Sequence, residues 1–190
     1  MGKADIRIQF TRKMLRDSLV TLMEGKPIRD ISVKEICESA GLSRSTFYTY
    51  YKDQYDLLGQ IEEEIFIELD HFVREYMPVK ELPPFKELTT LIEDVLHYIT
   101  GNTNSIQVLL SENGTNSFQR KFARYFTGHM RALKHIQGRP TPDDRTLKYY
   151  SAFIRDGCVA ILQEWIKSGV DMEVRDLAKL LARLIRGVLG

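Results

Sequence analysis

The stretch "SVKEICESAGLSRSTFYTYY", Ser32 to Tyr51, holds two helix starts and one helix stop within twenty residues. Ser32 followed three places later by Glu35 has the form of a capping box, in which each residue satisfies a backbone N–H the helix would otherwise leave open. Val33, Ile36, Cys37 and Ala40 then recur on one face of a 3.6-residue period. Gly41 follows that stripe at the position where a left-handed residue ends a helix at least cost. Ser43 can cap a second short helix running to about Tyr51. Two short helices joined by Gly41-Leu42, the second opened by a serine, match a helix-turn-helix.

The remaining pattern is helical almost throughout, and the expected fold class is all-α. Asp5 can cap a first helix whose buried face is Leu15, Leu19, Leu22 and Met23, ending near Gly25. Asp53 can cap a long fourth helix through Leu58, Ile61, Ile65, Leu69 and Phe72 to Tyr76. "PVKELPP", Pro78 to Pro84, is the clearest boundary, since three prolines in seven residues cannot continue a helix. Helices are then expected over about Phe85–Thr100, Ser105–Leu110, Ser117–Ile136, Arg145–Ser168 and Glu173–Val188, with "QGRPTPDD" as a loop. No segment shows convincing strand alternation. The expected layout is an N-terminal three-helix DNA-binding domain, residues 1–52, followed by a larger helical domain, residues 53–190.

Five aromatic rings, Phe47, Tyr48, Tyr50, Tyr51 and Tyr55, crowd the segment behind the turn. On a helical wheel Phe47 and Tyr51 point the same way, into a small core. Ser45 and Thr49 point away from it, with Arg44 and Tyr48 on one flank and Tyr50 on the other. The rings thus divide between holding the helix and offering polar tips to a partner, a task for which tyrosine's apolar body and hydroxyl suit it. Arg44 is the best candidate for reading a base, because a guanidinium can grip guanine O6 and N7 together. Ser45 and Thr49 can add a hydrogen bond or a methyl contact. Tyr50 is placed to reach a phosphate, and Lys34 a phosphate or a base edge. Ser43 presents the free N–H groups of a helix start, a seat for phosphate. Thr46, Tyr48 and Lys52 complete the candidate DNA-contacting set.

Charge agrees without deciding. Net charge is +1, but residues up to Lys52 carry ten Lys/Arg against six Asp/Glu, leaving an acidic remainder. A basic front on an acidic body fits binding of a polyanion at one end. The 190 residues, 43% hydrophobic and 28% charged, are enough for a sizeable core. The two cysteines, Cys37 and Cys158, are far apart and fit a reducing compartment better than a disulfide framework. "MGKADIRIQF" lacks the apolar core of a signal peptide and no run reaches membrane-spanning length, so a cytoplasmic location is the expectation. His71, His97, His129 and His135 show no metal-ligand spacing, and the acidic run Glu62–Glu64 has no nucleophile beside it. No metal, no cofactor and no catalytic residues are expected, and the chain is not read as an enzyme.

The residues "ISVKEICESAGLSRSTFYTYYKDQYDLL" resemble the tetracycline-repressor (TetR) family of bacterial transcriptional regulators. The Gly-Leu-Ser turn, the Thr46-Phe47-Tyr48 triplet, the Tyr50-Tyr51-Lys52 step and the closing Asp56-Leu57-Leu58 carry the resemblance, which is specific over roughly residues 7–69. The sequence departs from the family pattern at Gln54, where a phosphate-binding lysine is frequent, and at Tyr50, where histidine is frequent. What the resemblance implies is a homodimeric repressor that binds a palindromic operator and is released by a small-molecule ligand of unknown identity. It also implies that the last two helices pair with their copies.

The larger domain gives weaker guidance. The penultimate helix is apolar around much of its circumference, so it is expected to be buried on more than one side. The candidate dimer contacts are Ile154, Cys158, Ile161 and Trp165 there, with Leu177, Leu181, Leu184 and Val188 on the last helix; an intramolecular bundle is the competing reading. Candidate ligand-lining residues are Phe66, Tyr98, Phe118, Phe122, His129 and Phe153, which are large and are read as facing inward. An interaction or adaptor protein using the same fold with a protein partner is the alternative function.

Overall fold

The computed structural model describes residues 3–77, 81–111, 113, 116–132, 135–136, 139–140 and 142–189. In chain order the helices are α1 (Lys3–Gly25), α2 (Val33–Ala40), α3 (Arg44–Tyr50), α4 (Gln54–Tyr76), α5 (Phe85–Gly101), α6 (Thr103–Leu110), α7 (Asn116–Ala132), α8 (Asp144–Lys167) and α9 (Val174–Leu189). A single 3-10 turn, Ile28–Asp30, joins α1 to α2. The expected all-α architecture holds. One small addition is an antiparallel pair of two-residue strands, β1 (His135–Ile136) and β2 (Arg139–Pro140), where a longer α7 and a plain loop are expected from sequence.

The chain forms two compact units. The first comprises Met1–Phe66 together with Asn104–Asn116, and the second Ile67–Thr103 with Ser117–Gly190. Compactness therefore divides the chain elsewhere than between residues 52 and 53: the first part of α4, and α6, belong with the N-terminal helices. Asn113 donates from its side-chain amide to the Glu24 carbonyl at the end of α1, 3.2 Å away.

Within the first unit the helix ends are held by short-range bonds. Asp5 lies inside the first turn of α1 rather than at the position before it, where its charge complements the N-terminal dipole. The Ser32–Glu35 capping box is complete: the Glu35 amide donates to Ser32 Oγ at 3.2 Å, and the Ser32 amide donates to Glu35 Oε2 at 2.9 Å. Gly41 sits at φ 64° and ψ 30°, and the Leu42 amide closes back onto the Cys37 carbonyl at 2.9 Å. That is the Schellman closure, which needs a left-handed residue. Asp53 accepts from the Asp56 amide at 2.8 Å and so opens α4. Leu15, Leu19, Met23, Ile36 and Phe47 are fully enclosed.

In the second unit α9 lies along α5 and against α8. Leu88, Leu91 and Ala182 form one core, flanked by Phe72, Tyr76 and Ile185. Met130, Leu147, Ile154 and Leu189 form another, flanked by Phe126, Tyr150, Cys158 and Val188. Asp143 caps α8 by accepting from the Thr146 amide at 2.7 Å.

Candidate nucleic-acid interface

α3 is presented by its buried side. Phe47 is wholly enclosed, and its ring lies 5.6 Å from that of Tyr51, which is itself buried. These two rings anchor the helix as the wheel predicts. Burying a phenylalanine side chain in this way contributes a few kcal/mol. On the opposite side Arg44, Ser45, Tyr48 and Thr49 are exposed, while Thr46 and Tyr50 are half-buried. Tyr48 stands edge-on to Phe47 at 5.6 Å and keeps 55% of its surface in solvent.

The start of α3 is a small hydroxyl cluster. Ser43 Oγ accepts from the Thr46 amide at 3.1 Å and lies 2.7 Å from Ser45 Oγ and 2.8 Å from Thr46 Oγ1. Thr49 donates its hydroxyl to the Ser45 carbonyl at 3.0 Å. Lys34 is exposed on α2, with only a loose contact of 3.6 Å to Glu38. Lys52 has an exposed side chain, and its amide donates to Asp56 Oδ2 at 2.9 Å, which fixes the step between α3 and α4. Gln54 is half-buried at the first position of α4. Arg44 on α3, Lys34 on α2 and Lys52 just after α3 are thus exposed cations, and the exposed face of α3 is polar. Chemically that arrangement can neutralise phosphates while holding one guanidinium and two hydroxyl side chains toward a base edge.

The support beneath this surface includes a contact that sequence reasoning missed. Arg12 on α1 donates from Nε to the Tyr51 hydroxyl at 3.3 Å and from Nη2 to Gln60 Oε1 on α4 at 2.7 Å. Its partners are 39 and 48 residues away in sequence, so no local pattern signals it. At the start of α2, Glu35 is held down to about 2, first by the Lys26 ammonium and then by the Ser32 amide and hydroxyl, so the capping box stays ionised far into acid.

Each candidate ligand residue has its own local contacts. Phe118 is buried and stacked on Phe122, ring centroids 6.3 Å apart. Tyr98 is half-buried and meets Phe72 edge-on at 6.2 Å. His129 packs on Tyr125 with centroids 4.3 Å apart, and its Nε2 lies 3.8 Å from Asp70 Oδ1. Burial pushes the His129 imidazole below its ordinary value, outweighing the pull of Asp70. Phe66 belongs to the first unit and the others to the second. Phe153 is a correction: it is 68% exposed and lines no interior, because it lies on the solvent side of α8.

The candidate dimer residues need a parallel correction. Ile154, Trp165, Leu177 and Leu181 are buried within the subunit, where they pack the helices of one chain against each other. Cys158, Ile161 and Val188 are half-buried, with Cys158 and Val188 against the core around Ile154. Burial also raises the Cys158 thiol to about 11. Of the eight, Leu184 alone is exposed, at 48%. The large apolar side chains that α8 does leave in solvent are Tyr149 and Phe153, one turn apart.

Comparison with known proteins matches this arrangement at both ends of the chain. The profile of bacterial regulatory proteins of the tetR family matches residues 15–61, and that of a transcriptional regulator C-terminal region matches residues 86–187. The HTH-type dhaKLM operon transcriptional activator DhaS of Lactococcus lactis is 37% identical over 60 residues, which is 32% of this chain and 32% of that protein. That match therefore spans about a third of the relative's length. An uncharacterized HTH-type transcriptional regulator of Haemophilus influenzae is 22% identical over 97% of this chain and 89% of its own. Among solved structures, the fatty acid degradation regulator FadR from Bacillus halodurans superimposes with a TM-score of 0.66 at 13% identity, covering 98% of this chain and 96% of that one. That likeness is one of fold. With both profiles met and the second spanning more than half of the sequence, the chain belongs to the TetR family of bacterial transcriptional regulators.

Proposed function

We propose that this DNA-binding regulator recognises an inverted-repeat operator as a homodimer, with α3 of each subunit in the major groove, and that it represses transcription until a small molecule releases it. The observation that carries the reading is the division of α3: Phe47 and Tyr51 are buried, whereas Arg44, Ser45, Tyr48 and Thr49 are presented outward beside Lys34 and Lys52. In this reading Arg44 takes a guanine, Ser45 and Thr49 touch neighbouring base edges, and Tyr48, Tyr50, Lys34 and Lys52 meet phosphates. Ser43 and Thr46 hold the start of α3 at the backbone. Residues 1–52 supply the DNA contacts, and residues 53–190 the effector and dimer functions. Tyr149 and Phe153 on α8 and Leu184 on α9, all exposed in one subunit, support a dimer surface on these helices. Tyr98, Phe118, Phe122 and His129 are the side chains from which an effector site would be built.

The test is selection of random duplex DNA on the purified protein, followed by sequencing. An enriched inverted repeat supports both the base reading and the twofold symmetry. No enrichment at low salt, where phosphate contacts are strongest, overturns it. Transcription from a promoter carrying the selected site then gives the sign of regulation, with repression expected.

A further inference from the structure

We propose that Arg12 is a positioning residue for DNA recognition, a clamp from α1 that fixes the end of α3 to α4 without touching DNA. The inference rests on the DNA-binding reading of α3 and goes beyond it.

Arg12 borders a groove of about 190 Å³ in the first unit, beside Lys13, Arg16, Tyr51, Gln60 and Glu64. Its two cationic neighbours have carboxylate partners: Lys13 pairs with Asp17, and Arg16 with Glu64. The hydrogen bonds of Arg12 go instead to two neutral acceptors on different elements, the Tyr51 hydroxyl and Gln60 Oε1. A guanidinium is planar, so two bonds made from one edge and one tip fix the relative direction of both acceptors, which a flexible ammonium does not do. The guanidinium carbon also lies 5.9 Å from the Tyr51 ring centroid, within cation–π range.

Tyr51 is the residue through which such a clamp can act. It is the C-cap of α3, and its amide donates to the Phe47 carbonyl at 3.0 Å. Its ring meets both Phe47 and Tyr50, at 5.6 and 6.4 Å. α3 has only seven residues and no basic residue in its last turn, so its C-terminal end is held by contacts from outside. A tilt at Tyr51 would move Arg44 and Tyr48 together, because two turns of helix carry them rigidly. Base readout needs a bidentate geometry and tolerates little tilt, whereas phosphate attraction tolerates a good deal.

The experiment measures affinity for a selected operator and for unrelated duplex DNA, across a salt series, for the wild type, Arg12→Met, Tyr51→Phe and the double variant. Arg12→Met is expected to weaken operator binding about tenfold while binding to unrelated DNA stays within about twofold, with the salt slope unchanged. Tyr51→Phe, which loses only a hydroxyl and keeps its buried ring, is expected to weaken operator binding about threefold, and to add nothing in the Arg12→Met background. Arg12→Lys, which can reach Gln60 but not fork to both acceptors, should recover only part of the loss. Equal loss on both DNAs would mean a merely structural role and overturns the proposal. A salt slope lower by about one would make Arg12 a direct phosphate contact and also overturns it. Additive losses in the double variant do so as well. If the wild type selects no operator at all, the DNA reading itself has failed, an outcome distinct from any of these.

Discussion

Replacing Gly41 by alanine isolates the cost of the turn that sets α3 in place. The residue has φ 64°, in the left-handed region, and a Cβ built there meets nothing within 4 Å. No clash contributes, so the cost is that of the backbone conformation alone, about 1–2 kcal/mol for a residue with a Cβ. Alanine also stiffens the unfolded chain, which offsets roughly 0.4–1 kcal/mol of that. The net expectation is a loss of about 1 kcal/mol, with asparagine recovering part because it tolerates this region better. The chain has two compact units, so a single unfolding transition is not the right measure. Hydrogen exchange at the amides of α2 and α3 reads the first unit directly, and a loss of about 1 kcal/mol should speed exchange about fivefold. Equal exchange in Gly41→Ala and wild type would refute the reasoning, since the left-handed closure would then cost a Cβ nothing. Acceleration beyond about a hundredfold would also refute it, because only a steric conflict is that large.

Three further outcomes are expected. Arg44→Ala should lose about 1–3 kcal/mol of operator affinity and relax preference at one base pair per half-site, read by repeating the duplex selection; an unchanged profile removes Arg44 from base readout. Phe153→Glu, on a side chain already 68% exposed, should leave the subunit folded and give monomers in sedimentation, whereas a charge at buried Leu181 should unfold it; a dimeric Phe153→Glu protein would place the interface elsewhere. Acid should destabilise the second unit through His129. Its folded imidazole lies below the unfolded value of about 6.5, so the unfolded chain binds more protons, and stability is fully present above that value and falls as pH drops through it. Asp70, which pulls the other way, and Arg74 and Tyr125 are the charged and titratable groups at that ring. Hydrogen-exchange protection of the α7 amides, compared at pH 7.5 and 5.5 after correction for the intrinsic exchange rate, should therefore differ less for His129→Gln than for wild type, and an equal difference would assign the effect to other groups.

The N-terminal helices were legible because their rules are local. The capping box, the glycine stop and the Ser43 cap each act within five residues, and the α3 wheel has one polar and one apolar side. α8 resisted for the opposite reason. A helix apolar over most of its circumference has no phase, so sequence cannot say which ring meets its own subunit and which meets solvent. Ile154 and Phe153 are adjacent in sequence, yet the first is enclosed and the second bare. The same blindness hid Arg12, whose partners are set by the packing of α1 on α4. Asp5 misled by a milder route: an acidic residue is favoured both as a cap and within the first turn, and here it is the latter.

The membership of α6 in the first unit bears on how the chain is made. Ile106, Val108 and Leu109 of this helix are buried, yet they follow Phe66 only after the whole of α5 has been synthesised. A ribosome adding about 5–20 residues per second would leave the N-terminal helices waiting roughly 3 to 10 s for the segment that completes their unit. During that interval the surface that α6 later occupies is open to water and to chaperones. A nascent chain arrested before residue 104, or a fragment cut after residue 66, is therefore expected to be softer than the same helices in the finished protein.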